Sequence, residues 1–314
     1  GPEDRAYIVI KLIIASIRIK YINFSMIIWI ASYPKSGNTW VRTLINQIIQ
    51  SDSLEKDNVF KNLKSIPNYP LKSHYKNILD NINLDKLTGK DLKNITLKNW
   101  LSTQRIINSS GKVNFLKTHT MLCKINIEKK DFFFTDKLNT YGVIYIVRDP
   151  RNVISSFKNF LSHDDIEETF EVLTNANQWI DSDNIRMPQF ISSWGNNYNS
   201  WKNFPNFLLI KYEDLIINPE RELNKIINYL NKFIKISLEN IKINKIIKNS
   251  SFNNLKRLEN EGKFYESSTN PKTGQKNTFF NLGPKNNWQE LLDKNISDKI
   301  ERVYFKEMKE LGYL

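Results

Sequence analysis

Three short clusters in this 314-residue chain hold side chains of the kinds that grip anions and move protons. The first, Ser32-Tyr33-Pro34-Lys35-Ser36-Gly37-Asn38-Thr39-Trp40, stands between an apolar run and an amphipathic stretch. Where a strand feeds a helix, backbone N–H groups and the helix dipole converge on an anion. Lys35 would add a full positive charge there, and Ser36, Asn38 and Thr39 would add donors for phosphate or sulfate oxygens. The order of residues does not match G-x-x-x-x-G-K-[ST], because Lys35 precedes Gly37, which weakens an ATP or GTP reading. The second cluster runs from Arg148-Asp149-Pro150 to Ser155-Ser156. Asp149 and Pro150 suit the cap and first position of a helix. Arg148 has no such local role, and its planar fork suits a phosphate that the Ser156 hydroxyl, about two turns along the helix, could also reach. The third is Lys117-Thr118-His119. A histidine titrating near neutrality can take a proton from a hydroxyl, although a lone histidine is more often a satisfied core or surface residue than a catalyst.

Each cluster follows a continuous apolar run: residues 26–31 (MIIWIA), 113–116 (VNFL) and 142–147 (GVIYIV). A fourth run, 207–210 (FLLI), leads into Lys211-Tyr212-Glu213-Asp214 and a helix expected to begin near Asn218-Pro219. Runs of this kind read as parallel strands covered on both faces. After the first run Trp40, Leu44, Ile45, Ile48 and Ile49 share one helical face. Strands alternating with helices predict an α/β fold, a P-loop-like three-layer αβα arrangement around a central, mostly parallel sheet. Ligands of such a sheet bind outside the carboxyl ends of the strands, where the three clusters stand. Residues 51–110 are expected to be a helical insertion and loop over the active-site face. Residues 261–287, rich in Gly, Pro, Asn, Thr and Lys, are expected to form a mobile loop, and residues 288–312 a closing helix. There is no internal repeat, and residues 26–314 are taken as one domain.

Tyr33 to Trp40 resembles, over eight consecutive residues, the 5′-phosphosulfate-binding loop of the cytosolic-type sulfotransferases, with Asn38 where the family often carries Thr. These enzymes take sulfate from 3′-phosphoadenosine-5′-phosphosulfate (PAPS). Arg148 and Ser156 resemble the family's 3′-phosphate motif at the matching eight-residue separation. Lys117-Thr118-His119 is similar to the segment that carries the catalytic base, Tyr212-Glu213-Asp214-Leu215 to a Tyr-Glu-Asp-Leu segment near that base, and Ser250-Ser251-Phe252 to an adenine-contact Thr-Ser-Phe segment. The resemblance implies His119 as general base, with Lys35, Thr39 and Lys117 stabilising charge on the departing phosphate. It implies a cofactor site of Lys35, Ser36, Gly37, Asn38, Thr39, Trp40, Arg148, Ser156, Tyr212, Ser251, Phe252 and Gly283, in which Trp40 and Phe252 either meet the adenine or pack the core. Glu213 and Asp214 are expected to fix their loop. The implied reaction moves a sulfuryl group from PAPS to a hydroxyl, less readily to an amine, and releases 3′-phosphoadenosine-5′-phosphate (PAP), with no metal. Near the C-terminus the resemblance departs from the pattern: in Phe279 to Trp288, Gly283 and Trp288 remain in register with an Arg-Lys-Gly-x-x-Gly-Asp-Trp segment. Asn281 and Leu282, however, replace its two basic residues. Lys285, Lys276 or Arg257 would have to compensate.

The composition limits the other readings. With 40% hydrophobic residues the chain can bury a core. One cysteine, Cys123, makes no internal disulfide, and three scattered histidines offer no metal-ligand spacing. A formal charge of +13 favours anionic ligands, but part of it follows a composition heavy in Asn, Ile and Lys, and no basic and aromatic pattern supports a nucleic-acid partner. Two alternatives stay open: a PAPS- or PAP-binding protein with impaired catalysis, and, less well supported, a P-loop kinase using ATP. The acceptor is a small molecule or a glycan. Phe157, Phe160, Phe170, Trp179 and Trp194 either wall its pocket or pack helices, packing being preferred. Gly1-Pro2 reads as a scar of tag removal. Residues 6–25 are apolar but interrupted by Lys11, Arg18 and Lys20, so a spanning helix and a secretory signal are both disfavoured and a cytoplasmic location is expected. That stretch is open to two readings: an extension the native protein lacks, or a basic amphipathic arm on a membrane surface or a partner.

Overall fold

The computed structural model describes residues 26–50 and 59–314, apart from 62, 77, 81, 238 and 240; the extension 1–25 lies outside the described residues. In chain order the elements are β1 (Ile27–Ser32), α1 (Asn38–Ile49), α2 (Lys72–Lys76), α3 (Gly89–Asn108), β2 (Asn114–Thr118), β3 (Lys124–Ile127), β4 (Lys130–Phe133) and β5 (Thr140–Val147). There follow α4 (Pro150–Leu161), α5 (Ile166–Thr174), β6 (Trp179–Ile180), β7 (Gln189–Phe190), α6 (Trp194–Trp201), β8 (Phe207–Lys211), α7 (Tyr212–Ile217) and α8 (Pro219–Leu230). The chain ends with α9 (Ile243–Asn249), α10 (Phe252–Asn260), α11 (Trp288–Leu291), α12 (Lys294–Val303) and α13 (Phe305–Glu310).

The four apolar runs form one parallel sheet in the order β2-β1-β5-β8. Every residue of β1 is buried because helices cover both faces of the sheet. Ile27, Trp29 and Ala31 point into one core with Trp100 of α3, Ile154 and Phe157 of α4, and Trp194 and Trp201 of α6. Ile28 and Ile30 point into the other with Val41, Leu44, Ile45 and Ile48 of α1 and Leu223, Ile226 and Ile227 of α8. The alternation along one strand therefore fixes three layers. Because all four strands are parallel, the segments after Ser32, Thr118, Val147 and Lys211 leave the sheet at one end. Helix starts fall where their caps dictate: Asp149 accepts from Arg151 N at 2.9 Å ahead of Pro150, and Asn218 from Arg221 N at 3.1 Å ahead of Pro219.

Three expectations change. The closing helix is broken into α11, α12 and α13, because Asp293 caps a fresh start and Tyr304 turns inward to pack against Trp194 at 5.0 Å. The described part of 51–110 contributes α2 and α3; α3 packs Trp100 and Leu97 into the core on the sheet and Leu92 against Tyr75, Leu84 and Met187. Residues 261–287 are irregular apart from a 3-10 turn at Gly283–Lys285, and Phe264, Glu266 and Phe280 are buried in them. Among the described residues no helix is long and apolar enough to cross a membrane.

Candidate functional site

The carboxyl end of the sheet opens into a cleft of about 1220 Å³, its mouth included. Its floor is the loop between β1 and α1. Lys35 and Gly37 both take positive φ, 64° and 100°, so the chain turns sharply into the helix. A side chain at Gly37 would also meet the Tyr212 ring, 2.6 Å from the position of a Cβ. No side chain caps α1, and the Ser36 hydroxyl is buried without a hydrogen-bond partner among the described residues. Asn38 behaves otherwise than expected: its Nδ2 donates to the Ile30 carbonyl at 3.0 Å and Ser32 Oγ at 3.1 Å, so the side chain pins the loop to the strand and leaves only its backbone N–H for an anion. Thr39 and Trp40 line the cleft, and Trp40 packs edge-on to Tyr212 at 5.6 Å.

Cations converge above this floor. The Lys35 ammonium lies 3.7 Å from the centre of the Phe279 ring, and burial, Arg148 and Lys117 together push its pKa down to about 7. Arg148, at the end of β5, stacks its guanidinium 4.1 Å over Tyr212 and donates through Nη1 to the Lys35 carbonyl at 3.3 Å. Its Nε is buried without a hydrogen-bond partner among the described residues. The carboxylate beside it is taken by another arginine, since Asp149 pairs with Arg151 at 2.7 Å, and Ser155 and Ser156 face the same cleft from α4. Glu213, in α7 and not in a loop of its own, braces this one: its Oε1 accepts from the Asp149 N–H at 2.9 Å and its Oε2 from Tyr313 Oη at 2.9 Å. Crowded cations and two orphaned buried donors fit a polyanion carrying separate phosphate groups.

His119 emerges from β2 on the opposite wall. Its Nδ1 lies 2.8 Å from the Ser32 carbonyl, which can only accept, so Nδ1 carries the proton and Nε2 is left with its lone pair. The backbone holds the ring in place: His119 N–H donates to Gln189 Oε1 at 2.9 Å, and its carbonyl accepts from Asn197 Nδ2 at 2.9 Å. Burial and the Lys117 charge hold the imidazole well below the usual histidine range, so it is neutral at pH 7. Lys117 is itself pushed down to about 7, chiefly by burial.

A sulfotransferase domain profile matches residues 26–312. The chain belongs to the sulfotransferase family. It is 29% identical over 212 residues to the 3-beta-hydroxysteroid sulfotransferase of Cavia porcellus, covering 67% of this chain and 69% of that one. It is 24% identical over 287 residues to sulfotransferase 1B1 of Canis lupus familiaris, covering 89% and 82%. Among solved structures, retinol dehydratase in complex with retinol and PAP aligns with a TM-score of 0.56 at 17% identity, covering 90% of this chain and 81% of that one. A mouse sulfotransferase complexed with PAP aligns with a TM-score of 0.50 at 18% identity, covering 90% and 84%. These likenesses show the same fold.

The sulfotransferase cleft gathers Lys35, Gly37, Asn38, Thr39, Trp40, Lys117, His119, Arg148, Ser156, Tyr212, Phe252 and Gly283, with Ser36 buried beneath. Ser251 is the exception. It caps α10, accepting from Asn254 N at 3.4 Å, and stands outside the lining. Tyr212 supports Arg148 and Trp40 rather than the base. Gly283 is required twice over, by a φ of 55° and by the Phe252 ring 2.2 Å from where a Cβ would stand. Asn281 and Leu282 line the cleft, but none of Lys285, Lys276 or Arg257 does; Arg257 is engaged with Glu261 and Asn254. Lys256, also outside the lining, donates to the Asn281 carbonyl at 3.0 Å and lies 5.7 Å from the Phe252 ring. Of the five aromatic residues Phe157, Phe160, Phe170, Trp179 and Trp194, only Phe160 lines the cleft, while Phe157 and Trp194 pack in the core, the reading the sequence preferred for them. Sequence reasoning missed Gln189, Arg186 and Glu266, none of which sits in a motif that marks it, and it passed over Phe279 at the head of the 279–288 segment.

Proposed function

We propose that this sulfotransferase moves the sulfuryl group of PAPS to a hydroxyl of a small-molecule acceptor and releases PAP. The observation that carries the reading is the His119 imidazole, held neutral with Nδ1 on the Ser32 carbonyl, on the wall of a cleft that also holds Lys35, Lys117 and Arg148. PAPS supplies an activated sulfuryl group whose leaving group is a phosphate. On the protein side, the Ser36 hydroxyl, the uncapped α1 N-terminus and Lys35 bind the 5′-phosphate region, while Arg148 and Ser156 bind the 3′-phosphate. Trp40 and Phe252 offer aromatic faces to the adenine.

His119 Nε2 takes the proton of the acceptor hydroxyl as the oxygen bonds to sulfur. The bond from sulfur to the phosphate oxygen breaks, its electron pair leaves on PAP, and Lys35 and Lys117 offset that charge. The transfer requires the attacking and leaving oxygens to lie in line across sulfur. A small-molecule acceptor is favoured over a glycan by the names of the relatives, which include a hydroxysteroid sulfotransferase, and by the retinol in an aligned structure. Phe160, Ile180 and Phe279 give the cleft an apolar side suited to such a molecule.

The test is PAP release from PAPS with 2-naphthol and a 3-hydroxysteroid as acceptors. Turnover with either that disappears in His119→Ala, while PAP still binds, supports the reading. PAP binding without turnover on any hydroxyl, amine or glycan acceptor supports a binding protein with impaired catalysis, the role suggested by Asn281 and Leu282.

A further inference from the structure

One buried carboxylate in the cleft has no place in the transfer just described. Glu266 lies in the irregular segment 261–287 with its side chain only 6% exposed. Its oxygens accept from Arg42 Nη1 at 2.9 and 3.0 Å and from Asn68 Nδ2 at 3.1 Å. The Lys117 ammonium stands farther away, 3.7 Å from Oε2. Arg42, in the middle of α1 and 1% exposed, is fixed in turn by the Ile66 carbonyl at 2.7 Å and the Leu63 carbonyl at 3.3 Å. The carboxylate is thus anchored without help from Lys117. The lysine is its loose partner, within ion-pair range but beyond the usual hydrogen-bond length.

We propose that Glu266 is a positioning residue for Lys117, favouring its ammonium form at the end of β2 while leaving it free to turn into the cleft. The inference rests on the cleft being the transfer site. The charged and titratable groups facing Lys117 are Arg42 from α1, Lys35 from the phosphate loop, Arg186 from the segment before β7, His119 two residues along its own strand, and Glu266. Glu266 is the negative one among them. An isolated buried lysine would lose its proton, and a lysine gripped at 2.8 Å would not leave its partner. A carboxylate already committed to Arg42 and Asn68 avoids both outcomes. It also ties the loop that carries Phe279 and Gly283 to the strand that carries the base.

Trace acetylation with acetic anhydride at graded pH, read by peptide mass spectrometry on the ligand-free protein, measures the midpoint at which each lysine loses its proton. In Glu266→Gln the Lys117 midpoint falls by about one pH unit or more, while Lys35, whose charged neighbours are Arg148, Lys117 and Glu259, does not fall with it. A lowered melting temperature with an unmoved Lys117 midpoint makes Glu266 merely the partner of Arg42 and overturns the proposal. Should the glutamine variant not fold, Glu266→Asp decides, because it keeps a carboxylate for Arg42 and withdraws it from Lys117; the same downward shift is expected, and its absence refutes the idea. The labelling needs neither donor nor acceptor. Protection of Lys35 and Lys117 by PAP, run in parallel, reports on the sulfotransferase reading, so the two can fail separately.

Discussion

His119 owes its chemistry to two backbone groups rather than to a carboxylate. The Ser32 carbonyl selects the tautomer, and Gln189 holds the residue's own N–H. In the proposed role the His119 base would act on the acceptor and take no part in holding the donor. His119→Ala should therefore lower kcat by about 10²–10⁴-fold, the usual contribution of a positioned base, with PAP affinity changed little. Steady-state rates alongside PAP calorimetry check this, and an equal loss in both would assign the ring to donor binding instead. Asn38 carries a different lesson at the same scale. Its amide is spent on Ile30 and Ser32, so the sequence position says where the residue is without saying which way it faces.

Among the elements, the phosphate loop and the 279–286 segment close the cleft from opposite sides, and each turns on one glycine. Gly283→Ala forces a Cβ into the Phe252 ring at a φ of 55°, and Gly37→Ala forces one into Tyr212 at a φ of 100°. Each should cost about 1–3 kcal/mol of stability and displace an aromatic wall, weakening PAP binding. Thermal melts with and without PAP report both effects; a variant that melts and binds like the parent would show that the segment yields freely. The four strands and the clusters at their ends were legible because each is local, an apolar run ending in a short motif. Glu266 was not. Its partners Arg42 and Asn68 lie 224 and 198 residues away in sequence, and nothing beside it in Phe264-Tyr265-Glu266-Ser267 marks a contact. Gln189, 70 residues from His119, was hidden for the same reason. The break of the last helix at Tyr304 likewise answers to Trp194, which periodicity cannot see.

For the molecule as a whole, the fold gathers positive charge at one end of the sheet, where Lys35, Lys117 and Arg148 share a cleft with the Glu266 carboxylate. Lys35 and Lys117 are both depressed to about 7, so each is charged below that pH and loses its charge above it. A polyanion binds the charged forms. Above pH 7 binding must therefore take up protons, and the PAP Kd should rise by up to about tenfold per pH unit for each lysine involved. His119, held well below 6.5, stays neutral through this range and adds nothing to the slope. Calorimetry between pH 7 and 9 in buffers of different ionisation enthalpy would show the uptake; a Kd independent of pH would mean the lysines keep their charge in the free protein.

The most direct test of the central claim compares PAP with adenosine 5′-monophosphate, which differs only in lacking the 3′-phosphate, on the parent and on Arg148→Ala. The cleft predicts that the parent prefers PAP. Loss of Arg148 should weaken PAP by about 1.5–3 kcal/mol, roughly 10- to 150-fold, and leave adenosine 5′-monophosphate nearly unaffected. Equal affinities for the two nucleotides in the parent would contradict a 3′-phosphate site, and with it the assignment of PAPS as donor.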